Sequence, residues 1–196
     1  MLHLRAFALL IFAFFIAPAA ASAQSSGGSV YVAPPPAKAG NLTVPGTKAK
    51  LLPDGTAAAP ASAPRAVQEA IWAANRLQDK PYKYGGGHAK VEDTGYDCSG
   101  TVSYALIHAE LLESPLPSGP FMGWGAKGRG KWITVFAHGG HAYAIIAGLR
   151  LDTSVGSYAR RASRRKIARS AFERGPRWRP MRRSARGFVK RHPVGL

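Results

Sequence analysis

One cysteine in 196 residues constrains this chain more than any other feature: no disulfide can staple it, so its order must come from a buried core. Composition permits one, since 46% of residues are hydrophobic and 19% charged, enough for a single globular domain of ordinary size. That cysteine, Cys98, lies in Gly95-Tyr96-Asp97-Cys98-Ser99-Gly100. Asp97 is a favoured N-cap, and Val102, Ala105, Leu106, Ala109 and Leu112 follow at helical spacing, which puts Cys98 in the first turn of a helix.

The spacing predicts an earlier helix from Pro64, with Val67, Ala70, Ile71, Ala74 and Leu77 on one face and an end near Asp79-Lys80-Pro81. A glycine-rich loop, Tyr82-Lys83-Tyr84-Gly85-Gly86-Gly87-His88, joins the two helices, and residues 113–131 read as a loop rich in proline and glycine. Trp132 to Phe136, His141 to Ala147 and Leu149 to Thr153 read as successive strands, the last two turning at Gly148. Helices first and an antiparallel sheet afterwards is an α+β pattern.

The flanks differ in composition. Residues 1–23 carry Arg5, an apolar run from Ala6 to Ile16, Pro18 and the small triplet Ala21-Ser22-Ala23, the features of a secretory signal peptide cleaved before Gln24. The apolar run is shorter than the roughly 20 residues of a membrane span, so the expected location is secreted or periplasmic. Residues 24–63, rich in proline and alanine, read as an extended linker. Residues 64–196 are then expected to form the one folded domain, the candidate for catalysis through Cys98. Within it, about 158–174 form an Arg-rich insertion expected to be a mobile loop, while Trp178, Met181, Phe188 and Val189 return the ending to the core.

The formal charge is +17, of which the leader removes only Arg5. Such a charge favours polyanions, and for an exported chain an anionic wall or envelope surface, met through the Arg-rich C-terminal region, is the expected partner rather than nucleic acid. A solvated basic tail accounts for the same residues equally well.

A thiol ionises with an ordinary pKa of about 8.5, and a helix N-terminus lowers it. The same exposed amides can hold an oxyanion, so the Cys98 N–H is a candidate donor. His141 could take the thiol proton and return it to a leaving amine, and Asp152, on the adjoining strand, could orient the imidazole. His138 is the alternative base, though it sits before Gly139-Gly140 in a turn. His88 and His108 read as a loop residue and a helix-surface residue. Cys98, His88, His138 and His141 could bind zinc, but their spacing matches no standard ligand pattern, and no cofactor is expected.

Pro81-Tyr82-Lys83-Tyr84-Gly85-Gly86, Asp97-Cys98-Ser99-Gly100 and Gly140-His141-Ala142-Tyr143 together resemble the successive motifs of the NlpC/P60 cysteine peptidases of bacterial cell walls. The resemblance covers roughly residues 67–153. It implies a papain-like α+β fold, with the cysteine helix packed on an antiparallel sheet. It also implies hydrolysis of an amide in the peptidoglycan stem peptide, commonly between D-glutamate and the diamino acid. Cys98 would be the nucleophile and His141 the base, with Tyr82, Asp97 and Ser99 at positions that line the substrate cleft. The third catalytic position in that family is often histidine, whereas Asp152 stands here. Two other classes fit the same residues: a non-catalytic wall-binding module, and an acyltransferase or transglutaminase-like enzyme on the same scaffold.

Overall fold

The computed structural model describes residues 41–154, 175–179 and 184–196. The expected signal peptide, residues 24–40 of the expected linker, and the Arg-rich stretch about 158–174 lie outside the described residues.

The first helix, α1 (Arg65–Asn75), begins where predicted. Pro64 precedes it with φ −51°, and its carbonyl accepts from the Val67 and Gln68 N–H groups at 2.9 and 3.2 Å. Val67, Ala70, Ile71 and Ala74 are buried on one stripe, and Leu77 is buried just beyond the helix end. Complete burial of an Ile or Val side chain contributes about 1.5–3 kcal/mol.

The stretch expected as linker is folded from Thr43 onward, which corrects that boundary. Three short strands, β1 (Thr43–Val44), β2 (Lys50–Leu51) and β3 (Ala57–Pro60), form a small sheet in the order β1-β3-β2, parallel on one side and antiparallel on the other. All four residues of β3 are buried, and Ala57, Ala59 and Ala63 join the main core beside α1. Asn75 fixes the junction: its Oδ1 accepts from the Ala57 N–H at 2.8 Å, and its Nδ2 donates to the Ala57 carbonyl at 2.8 Å. Alanine is small enough to let β3 and α1 approach closely. Residues buried on all sides also show no apolar alternation in sequence.

The second helix, α2 (Cys98–His108), is buried from Cys98 through Ile107, not along one stripe as its spacing implied. Val102, Ala105 and Leu106 pack into the main core, while Tyr104 lies edge-on to Tyr96, 5.3 Å between ring centroids, in a second cluster with Ala73 and Leu77. Its small polar residues are satisfied locally: Thr101 Oγ1 donates to the Asp97 carbonyl at 2.7 Å, and Ser103 Oγ accepts from the Leu116 N–H at 3.0 Å. The region 113–131 carries a one-turn helix, α3 (Ser118–Phe121), and a short strand, β4 (Ala126–Lys127), where only loop was expected.

The main sheet adds β5 (Ile133–His138), β6 (His141–Ile146), β7 (Leu149–Asp152), β8 (Arg177–Arg179) and β9 (Val189–His192), in the order β4-β9-β5-β6-β7-β8. Every neighbouring pair is antiparallel, so the class is mixed α+β. Alternation decides the faces: Val135, Ala137, Ala142, Ala144, Ile146 and Leu151 enter the core that α1 and α2 share. The β6–β7 connection is a two-residue turn in which Ala147 (φ 46°) and Gly148 (φ 90°) both take positive φ, the primed geometry that suits a tight hairpin. The C-terminal segment closes the structure. Trp178 is buried, its N–H donates to Gln78 Oε1 at 3.0 Å, and its indole N–H donates to Asn75 Oδ1 at 2.8 Å.

Candidate active site

Asp97 caps α2 with its side chain: Oδ1 accepts from the Gly100 N–H at 2.7 Å. This makes Cys98 the first residue of the helix, and helix geometry leaves the first-turn N–H groups, including that of Cys98, without intrahelical partners. The glycine-rich loop lies directly on this turn. Gly86 O accepts from the Asp97 N–H at 3.2 Å, and a Cβ on Gly87, whose φ is +81°, would come within 2.5 Å of the Tyr96 ring.

The β6–β7 hairpin delivers the partners. Ala144 stands opposite Leu151, so His141 and Asp152 fall on the same face as diagonal neighbours. His141 Nε2 lies 3.0 Å from Asp152 Oδ1. The imidazole also hydrogen-bonds Cys98. The structure therefore brings together Cys98, His141 and Asp152, which lie on one helix and two strands.

Opposing effects set the charge state. Burial pushes the Cys98 thiol up, but hydrogen bonds with His141, with Ser118 and with the Ala142 N–H outweigh it and hold the thiol below its ordinary value. Burial pushes His141 down, yet its hydrogen bonds to Asp152 and Cys98 prevail, and the imidazole is pushed up to about 9. Burial raises Asp152, but His141 and Ser154 hold its carboxyl well below the usual carboxylate range. The consistent state is a thiolate beside an imidazolium, backed by a carboxylate.

Asp152 is heavily supported. Its Oδ1 accepts from the Ser154 N–H at 2.8 Å, its Oδ2 accepts from Ser154 Oγ at 2.7 Å, and the buried guanidinium of Arg150 bonds Oδ2 through Nη1. Arg179 Nε donates to the Asp152 backbone carbonyl at 3.0 Å. A carboxylate so held cannot swing away from the imidazole. Sequence reasoning missed Arg150 and Ser154, although a charge inside an apolar strand and an Asp-x-Ser turn were both visible signals.

The remaining residues divide clearly. His138 does not reach Asp152: its Nδ1 accepts from the Gly140 N–H at 3.0 Å, and its ring lies 4.5 Å from Phe188. His108 is not a surface residue. Its side chain is buried against Tyr104 and beside Glu92, and burial pushes the imidazole down to about 4. Asp97 and Ser99 are buried beside Cys98, and His88 Nε2 lies 3.1 Å from Asp97 Oδ1 and 3.2 Å from Ser99 Oγ. Tyr82 bridges to Tyr96 at the loop's entrance. Ser118, at the start of α3, places Oγ 3.5 Å from Cys98 Sγ, a neighbour that no spacing in the sequence announced. Phe188 flanks His141, 6.3 Å from it and 5.1 Å from Tyr143 between ring centroids.

Among the described residues no group of three or more His, Cys, Asp or Glu side chains is arranged to hold a metal ion, and no helix is long and apolar enough to cross a membrane. No protein-family model matches this chain, and no curated protein matches it in sequence.

Proposed function

We propose that this protein is an exported bacterial cysteine peptidase of NlpC/P60 type, with a papain-like arrangement of cysteine helix and antiparallel sheet, that cleaves an amide in peptidoglycan stem peptides. The observation that carries this proposal is the assembly of Cys98, His141 and Asp152, with the thiol at a helix N-terminus and the imidazole bonded on both sides.

In this mechanism the Cys98 thiolate attacks the carbonyl carbon, and the C=O electron pair moves onto oxygen. The Cys98 N–H faces the developing oxyanion, with Ser118 Oγ close enough to the sulfur to serve as a second donor. As the C–N bond breaks, the imidazolium of His141 gives a proton to the leaving amine, and a thioester remains. Water then attacks the thioester, neutral His141 takes its proton, and the carboxylic product departs as the thiolate re-forms. Asp152 holds the ring in place throughout. Tyr82, Asp97 and Ser99 are assigned to the amino end of the stem peptide, and the bond between D-glutamate and the diamino acid is the preferred target.

The test is digestion of purified peptidoglycan by the chain from Gln24, beside a Cys98→Ala control, with released fragments identified by mass spectrometry. Fragments that depend on Cys98 establish the peptidase and name its bond. Wall retention without fragments from either chain would overturn the proposal in favour of a binding module, and aminolysis outrunning hydrolysis would make the enzyme an acyltransferase.

A further inference from the structure

A concave site lies at the other end of the β5–β6 hairpin from His138 and His141. It is a cleft of about 380 Å³, walled by the turn before β2 (Thr47, Lys48), the segment entering β5 (Arg129–Trp132) and the β6–β7 turn (Ala147, Gly148). At about 3.3 Å per residue, the length of β6 separates it from His141 by roughly 16 Å. Backbone bonds fix all three walls to one another: the Ala49 N–H donates to the Ala147 carbonyl at 2.9 Å, and the Ala147 N–H donates to the Trp132 carbonyl at 2.7 Å. The cleft is thus part of the folded frame.

Its lining includes three cations, Lys48, Arg129 and Lys131, and no carboxylate. Among the described residues none of the three makes an ion pair. Two are placed by aromatic rings: the Arg129 guanidinium lies 5.5 Å from the Phe136 ring centroid, and Lys131 Nζ lies 5.6 Å from that of Trp132. A cation resting on a ring face keeps its N–H groups free to donate elsewhere. Lys48 passes over Gly148, its Cγ an ordinary contact distance of 3.7 Å from where a Cβ would stand, and it is the backbone φ of +90° that favours glycine there. Thr134 Oγ1 accepts from the Gly130 N–H at 3.2 Å, which leaves the hydroxyl proton available at the cleft floor.

Three exposed cations lining one cleft overmatch a single carboxylate. They suit a ligand carrying two or more negative charges in a compact unit, with several oxygens to accept both ammonium and guanidinium donors. We propose that this cleft binds the phosphate groups of a polyanion. Such a site would hold the protein to a phosphate-bearing surface while leaving Cys98 unobstructed, and it does not depend on the peptidase assignment.

Isothermal titration of the chain from Gln24 with inorganic pyrophosphate tests the cleft directly, comparing Lys48→Ala/Lys131→Ala with Lys90→Ala/Lys127→Ala, which removes the same charge from exposed positions outside it. The expected result is about tenfold or greater weakening in the cleft variant and less than about threefold in the control. Circular dichroism of both variants, with Thr134→Val as a charge-neutral third, separates loss of binding from loss of fold. Equal weakening in cleft and control variants, or no pyrophosphate binding by the parent chain, overturns the proposal. Retention on soluble polyphosphate and on phosphatidylglycerol vesicles, each against the cleft variant, distinguishes a polymer from a lipid headgroup as the source. Selective loss of either supports the site, and loss of neither counts against it.

Discussion

The carbonyl oxygen of Gly86 lies 2.0 Å from the position a Cβ would take on Gly100, so the glycine-rich loop and the cysteine helix meet backbone to backbone. Neither side can yield, because the obstructing atom is main chain. Gly100→Ala is expected to destabilise the domain by about 3 kcal/mol or more, the upper range of overpacking effects. Denaturant titration measures the loss, and a midpoint equal to the parent's would show that the loop does not rest on the helix.

Activity should follow a bell-shaped pH profile. The thiolate is lost on the acid side, at a pH below the ordinary thiol value, and the imidazolium is lost on the alkaline side near pH 9. Rates of Cys98 alkylation by iodoacetamide provide an independent readout, expected to persist below the ordinary thiol value of about 8.5. A single rise centred on the free-thiol value would mean that no ion pair forms.

Asp152→Asn removes the negative charge that holds His141 protonated and leaves Arg150 without its carboxylate partner. The expected loss in kcat/KM is about 10²- to 10⁴-fold, accompanied by a downward move of the alkaline limb. Stability has a sign as well. Because the folded-state pKa of Asp152 is depressed, its contribution is present above the unfolded value of about 3.9 and disappears as pH falls below that value. Thermal melts across the acid range should therefore show a weaker pH dependence in the variant than in the parent.

Beginning the chain at Pro64 removes β3, whose buried alanines complete the core beside α1, and leaves the Asn75 amide without Ala57. Such a chain should unfold at a lower temperature than one beginning at Asn41, whereas a linker would be removable without effect. Differential scanning calorimetry of the two chains decides between these outcomes.

What was legible in the sequence was local. Asp97 before Cys98 announced a capped helix because capping depends on neighbours three residues away. The hairpin could be read because Gly148 sits between two apolar runs, and that spacing was enough to pair His141 with Asp152. Contacts made through space were not legible. His88 reaches Asp97 and Ser99 only because the glycine loop folds back over α2, and Ser118 meets Cys98 from a segment whose prolines and glycines read as loop. The strand β3 escaped notice because Ala-Ala-Ala-Pro has the composition of a linker. Its burial comes from the elements that surround it and leaves no pattern along the chain.

The order of the main sheet also has a consequence for assembly. The last strand, β9, enters between β4 and β5 instead of adding to an edge, and β8 docks on α1 through residues about a hundred positions earlier in the chain. Such pairings are among the slowest to form, since a long loop must close before any bond rewards it. A chain emerging from its N-terminus therefore cannot finish its sheet until His192 has been released. Cys98, His141 and Asp152 are all synthesised well before that point, so assembly of their surroundings waits for the C-terminal residues to arrive.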